Sequence, residues 1–189
     1  MLSKSELRRS LRKSRQDASE YKFFWSDSLL EQCFLFFQPG MVAASYRALG
    51  SEVDPSPLDE LAENCGCLLA LPFLESRSSE MEFRAWNRAD PLEQASFGFE
   101  QPMPSSSRLT PHVIIVPLTG FDANLNRLGQ GAGHYDRYFS SNDSALRLGL
   151  AWECQRIAAL PVDPWDQPLD ALLTENGLIS AVHSRISLS

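Results

Sequence analysis

Lysine is nearly absent from this chain. The 189 residues carry Lys4, Lys13 and Lys22 and none after them. A Walker-type GKS or GKT loop is thereby excluded from everything downstream. Any lysine ammonium that meets a phosphate must come from the N-terminal segment. Long apolar runs are also missing: no stretch reaches 18 residues, and "CFLFF" and "VIIVPL" have the length of core elements, so nothing is expected to span a membrane. The four cysteines (Cys33, Cys65, Cys67, Cys154) lack C-x-x-C spacing and have only three histidines to join them, which argues against zinc. Free thiols in a reducing compartment, the cytoplasm, fit that usage. There is no net positive charge: the formal value is −7, which argues against general nucleic-acid binding. No internal repeat is present, and the serine patches at 76–79 and 105–107 are loop-sized.

At 43% hydrophobic the chain can bury one sizeable core, and a single domain over 1–189 is expected. Its charge is uneven. Residues 1–15 hold Lys4, Arg8, Arg9, Arg12, Lys13 and Arg15 against Glu6 alone. Two readings stand: a basic transit segment, against which Glu6, Asp17 and Glu20 speak, or a solvated helix face.

Periodicity predicts a helix over 3–16, with Leu7 and Leu11 four apart, and a second over 26–37, capped by Ser26 or Asp27 and stopped by "QPG". "MVAASY" (41–46), "CLLALP" (67–72), "HVIIVPL" (112–118) and "ALRLGLAW" (145–152) read as buried strands. "GSEVDPSPLDELAEN" feeds a helix with Leu58 and Leu61 inward, and "MEFRAW" (81–86) alternates as a half-exposed strand. Residues 87–110 read as loop, a helix opens at about 131–140, and "LDALLTENGLIS" with "AVHSRIS" forms a last pair of elements. Buried strands alternating with helices predict an α/β fold, a mostly parallel central sheet flanked by helices.

The densest chemistry lies in "FDANLNRLGQGAGHYDRYF" (121–139), where Gly129, Gly131 and Gly133 alternate between Arg127 and Asp136. Alternate glycines let backbone N–H groups converge on an anion, and the helix start behind them adds its own N–H groups and dipole. Arg127 offers a forked donor to the same oxygens. A carboxylate such as Asp136 belongs beside phosphate when a hard cation, Mg²⁺, lies between them. The spacing is not G-x-G-x-x-G, so a dinucleotide fold is disfavoured, and a plain turn before a helix remains the alternative.

"VPLTGFDANLNRLGQGAGHYDR" resembles the signature of the 5-formyltetrahydrofolate cyclo-ligase (5,10-methenyltetrahydrofolate synthetase) family, "P-L-x-x-F-D" followed by "N-R-L-G-x-G-x-G-x-Y-D-R". Supporting pieces stand in order: "KSELR" at 4–8, "GSEVDPSPL" at 50–58, "LALP" at 69–72, "MEFRAW" at 81–86, "FGFEQP" at 97–102 and "WDQPLDALLTENG" at 165–177. The resemblance implies a Rossmann-like three-layer fold of the sugar-phosphate isomerase and CoA-transferase type. It implies an enzyme that uses ATP and Mg²⁺ to convert 5-formyltetrahydrofolate to 5,10-methenyltetrahydrofolate, and that works as a monomer. Carried over by position, Lys4 and Arg8 reach the ATP phosphates, and Arg127, Leu128, Gly129, Gln130, Gly131, Ala132, Gly133, His134 and Tyr135 form the nucleotide loop. Lys4 and Arg127 are the catalytic cations. Asp136 and Asp166 hold the metal, with Asp170 a rival to Asp166. Arg47 and Glu52 meet the folate, and Phe83, Trp86 and Phe97 give its aromatic wall. By residue type alone Lys4 and Arg8 read as surface charge, Phe83 and Trp86 as core, and Asp166 as a turn residue. The family often has an aromatic at the position of His134 and tyrosine or a small residue at Gln130. Rival readings are a non-catalytic folate or nucleotide binder, and a sugar-phosphate isomerase or CoA-transferase relative in which the N-terminal cations have no role.

Overall fold

The computed structural model describes residues 2–95 and 98–180, so Phe97 and the predicted element "AVHSRIS" lie outside the described residues. Helix α1 (Lys4–Ala18) begins with a capping box: Ser3 Oγ accepts from the Glu6 N–H, and Glu6 Oε2 accepts from the Ser3 N–H at 2.8 Å. Leu7 and Leu11 bury against Leu128 and Leu160. The basic start of the chain is thus built into the fold.

The predicted helix over 26–37 is shorter than its pattern suggested. Helix α2 (Asp27–Glu31) is capped by Ser26, and a 3₁₀ turn follows over Phe34–Phe36. Three residues per turn set Cys33 and Phe36 on one side, and both are buried, as is Phe37 beyond them. Phe34 and Leu35 remain exposed.

Next come β1 (Val42–Ala44), α3 (Ser56–Asn64), β2 (Leu68–Phe73) and β3 (Glu82–Ala85). The stretch over 87–110 is not all loop: it holds β4 (Leu92–Gln94), β5 (Glu100–Pro102) and β6 (Arg108–Leu109). Then follow β7 (Val113–Pro117), β8 (Gly120–Phe121), β9 (Arg127–Leu128), α4 (His134–Ser141), β10 (Leu146–Leu150), β11 (Ala171–Thr174) and β12 (Gly177–Ser180). Helix α4 starts later than the pattern predicted, because Gly133 takes a left-handed conformation (φ 68°) as its N-cap.

Among the described residues one sheet of eight strands runs β12-β11-β10-β7-β1-β2-β3-β6. Its five central strands, β11 to β2, are parallel, and the flanking strands β12, β3 and β6 pair antiparallel. Side chains alternate between the faces. Ala43, Leu69, Ile115, Leu148 and Leu173 pack toward Leu58, Leu61 and Ala62 of α3, whereas Ala44, Ala70, Ile114, Val116 and Leu172 join the cluster holding Phe139 of α4. The result is the expected three-layer α/β architecture.

The chain leaves β1 toward β2 in one direction and later fills β7, β10 and β11 in the other. The strand order therefore reverses between β1 and β7, and parallel sheets leave a crevice at the carboxyl ends there.

One buried acid is unused by that crevice. Asp59 of α3 is 1% exposed, with Oδ1 lacking a hydrogen-bond partner. Burial pushes its carboxyl up to about 7; the Ser45 hydroxyl, Arg47 and Arg88 pull it down, and Asp54 pushes it up. Between the unfolded value of 3.8 and about 7 the native state holds a proton that the unfolded chain has lost, so stability declines as pH rises through that window. The decline runs at no more than about 1.4 kcal/mol for each pH step crossed. Asp59→Asn is expected to flatten it and to be more stable than wild type at pH 8. Urea titrations at pH 5 and 8 check this; a variant as pH-dependent as wild type contradicts it.

Candidate functional site

A cavity of about 870 Å³ opens at the crevice, lined from four directions. Tyr46, Arg47, Leu49 and Glu52 arrive after β1, Pro72 and Leu74 from the end of β2, and Pro117 from the end of β7. Residues 127–137 form a second wall. Lys4 and Arg8 of α1 form a third, and Asp163, Pro164, Trp165, Asp166 and Gln167 a fourth.

The glycine bend owes its shape to backbone freedom at two positions, Gly131 (φ 113°) and Gly133 (φ 68°), conformations that L side chains rarely adopt. They turn the chain so that α4 starts at the cavity, where its first N–H groups lack helical partners. Arg137 steadies the turn by donating to the Ala132 carbonyl at 2.9 Å. Its guanidinium also lies 2.9 Å from His134 Nδ1, and burial together with that charge holds the imidazole below its ordinary pKa.

Helix α1 sends four cations along one face. Lys4, Arg8, Arg12 and Arg15 are spaced 4, 4 and 3, the repeat that aligns side chains on a helix. Lys4 Nζ donates to Asp163 Oδ2 at 2.7 Å and to Asp166 Oδ2. Burial works against its charge, but the bonds to Asp163 and Asp166 prevail and its pKa is raised. Arg8 Nε donates to the Gly129 carbonyl at 2.9 Å, and Arg12 Nη2 to Gln130 Oε1 at 2.7 Å. Arg15, buried, donates to Ser51 Oγ and lies 3.6 Å from Glu52.

Arg127 is the most enclosed of the cavity's cations, its side chain 3% exposed. Nη2 donates to Asp136 Oδ1 at 2.7 Å, while Nε is buried without a partner. Burial lowers its pKa, and the Asp136 carboxylate opposes that shift. The rings of Tyr135 and Phe139 lie 5.7 and 5.4 Å from the guanidinium. Asp136 Oδ1 also accepts from the Gln167 N–H at 3.2 Å, which draws the 163–167 loop against the glycine bend.

The cavity thus gathers Lys4, Arg8, Arg47, Glu52, Asp136, Asp166 and the whole of 127–135. Phe83 and Trp86 do not line it. Phe83 packs edge-on against Tyr138 at 5.0 Å, and Trp86 is buried in the cluster on the α3 side with Arg47 above it. The apolar wall comes instead from Tyr46, Leu74, Met81, Phe99 and Trp165. Asp170 lies outside the lining, where it accepts from the Arg147 N–H at 2.9 Å, whereas Asp166 lines the cavity. Asp163 and Arg137 escaped the sequence reading, although Arg137 closes the "Y-D-R" of the signature.

No group of three or more metal-ligating side chains occurs among the described residues. Asp136 and Asp166, both facing the cavity, still suit a hard divalent cation that keeps waters and takes its other ligands from phosphate oxygens.

The profile of the 5-formyltetrahydrofolate cyclo-ligase family matches residues 1–175. The 5-formyltetrahydrofolate cyclo-ligase of Escherichia coli K12 is 30% identical over 138 residues, 69% of this chain and 76% of that protein. The Haemophilus influenzae cyclo-ligase is 37% identical over 89 residues, 44% of this chain and about half (48%) of the relative's length. The NMR structure of the Aquifex aeolicus 5,10-methenyltetrahydrofolate synthetase superposes with a TM-score of 0.74 at 28% identity, covering 100% of this chain and 97% of that one.

Proposed function

Because the chain belongs to the 5-formyltetrahydrofolate cyclo-ligase family, and so to the ligases, we propose that its cavity binds ATP, Mg²⁺ and 5-formyltetrahydrofolate together and yields 5,10-methenyltetrahydrofolate, ADP and phosphate. The observation that carries this reading is the meeting of α1 with the glycine bend: Lys4 and Arg8 line the same cavity as Gly129 to Gly133, with Asp136 and Asp166 beside them. An isomerase or CoA-transferase relative would leave that convergence without a purpose.

The formyl oxygen attacks the γ-phosphorus and the bond to ADP breaks. N10 then adds to the formyl carbon, closing the ring and giving up its proton, and the carbon–oxygen bond breaks so that phosphate leaves, with that proton passing to phosphate or water. Such chemistry is mostly positioning and neutralisation of charge. The glycine bend and the start of α4 receive the phosphate oxygens. Arg127, already oriented by Asp136, faces the transferring group. Lys4 exchanges Asp163 and Asp166 for phosphate oxygens. A bound Mg²⁺, held by Asp136 and Asp166, would shield the triphosphate charge. Glu52 accepts from the donor-rich edge of the pterin, and Arg47 lies on the same side. On this reading the enzyme is a single-domain monomer, and its four free thiols suit a reducing compartment such as the cytoplasm. Among the described residues, no helix is long and apolar enough to cross a membrane.

Mixing the protein with 5-formyltetrahydrofolate, ATP and Mg²⁺ is expected to raise the methenyltetrahydrofolate absorbance, with one ADP per turnover. No product at micromolar enzyme, or product without ATP consumption, overturns the reading.

A further inference from the structure

Gln130 stands between the two halves of the cavity with both ends of its amide engaged. Oε1 accepts from Arg12 Nη2 at 2.7 Å, and Nε2 donates to Glu52 Oε1 at 2.7 Å. A guanidinium cannot accept and an ionised carboxylate cannot donate, so only one orientation of the amide satisfies both neighbours. Arg12 Nη2 also reaches the Gln130 carbonyl at 3.3 Å, tying backbone and side chain to the same cation. Glu52 is held at its other oxygen by the Leu49 N–H at 2.9 Å. Its carboxylate lies 3.6 Å from Arg15, with both side chains under 10% exposed. The path Arg12–Gln130–Glu52–Arg15 therefore leaves α1, crosses the glycine bend, enters the segment after β1 and returns to α1.

The backbone of Gln130 lies between Gly129, whose carbonyl Arg8 holds, and Gly131, whose positive φ shapes the bend. A ligand that settles on these N–H groups fixes residue 130, and with it the donor that sets the Glu52 carboxylate. A ligand that hydrogen-bonds Glu52 acts back along the same path.

We infer that Gln130 is a positioning residue that couples occupancy of the glycine bend to the orientation of Glu52, so that nucleotide and folate bind with mutual dependence. This rests on the substrate assignment above. Linkage makes the effect reciprocal: saturation with 5-formyltetrahydrofolate tightens the nucleotide by the same factor that nucleotide tightens the folate, about five- to tenfold.

Isothermal titration calorimetry with Mg²⁺, a non-hydrolysable ATP analogue and 5-formyltetrahydrofolate reads that factor as the ratio of binary to ternary Kd. A general weakening of either subsite leaves the ratio untouched, whereas Gln130→Ala is expected to bring it close to one. Gln130→Met, which keeps the volume without the amide, should do the same and serves if the alanine variant folds poorly. A ratio unchanged in either variant overturns the coupling, as does a wild-type ratio of one with both ligands bound. Binding of neither ligand to the wild-type protein overturns the substrate assignment as well.

Discussion

Replacing Arg127 with alanine is expected to lower kcat/KM for ATP by about three orders of magnitude, the scale on which a single arginine neutralises charge in phosphoryl transfer. The expectation comes from enclosure. The Arg127 guanidinium is buried, held by Asp136 at 2.7 Å, and has Nε free of any protein partner. In such surroundings a fixed charge acts through little water and needs no reorganisation as negative charge develops. Arg127→Lys keeps the charge but loses the fork, so it should recover only part of the activity. The burden on stability is smaller, because the Asp136 side chain is 23% exposed and can hydrate once its partner is gone. Steady-state kinetics beside a thermal melt separate the two effects. A drop of less than tenfold in a folded variant would remove Arg127 from the chemistry.

Lys4→Ala is expected to raise KM for ATP by about ten- to a hundredfold, the range set by a charge-assisted hydrogen bond of roughly 1.5–3 kcal/mol. KM for 5-formyltetrahydrofolate should move less than about threefold, since Lys4 faces the acids of the 163–166 loop and not Glu52 or Arg47. Two contributions share a sign: the ammonium is lost, and Asp163 and Asp166 are left uncompensated beside an incoming triphosphate. Because the Lys4 pKa is raised above 10.5, the ammonium persists throughout neutral pH and is lost as pH climbs through that raised value. Equal rises in both KM values contradict the assignment.

The glycine bend was legible in the sequence because its chemistry is local: glycines, an arginine and an acid within ten residues need no tertiary knowledge. Elimination narrowed the lysines to Lys4, Lys13 and Lys22, and the family resemblance singled out Lys4. The aromatic wall was not. Alternation tells which face of a strand is buried but not which end of the strand meets a cavity. Met81 and Phe83 share the same core cluster two residues apart, yet Met81 lines the cavity and Phe83 packs on Tyr138. Asp163 was hidden for another reason: an acid between Val162 and Pro164 reads as a turn until Lys4, 159 positions away, is brought to it. The helix expected over 26–37 failed where a run of aromatic residues needed a tighter turn to reach the core.

The Lys4–Asp166 contact joins positions separated by 162 residues, so it works as a clasp between the first and last thirds of the polypeptide. During synthesis the cations of α1 emerge long before the acids that receive them. The sheet strands β1, β2 and β7 can pair meanwhile, but the cavity is complete only once the 163–167 loop joins its lining. Nucleotide capture is then a late marker of folding, and in a refolding experiment it should lag the recovery of β-structure.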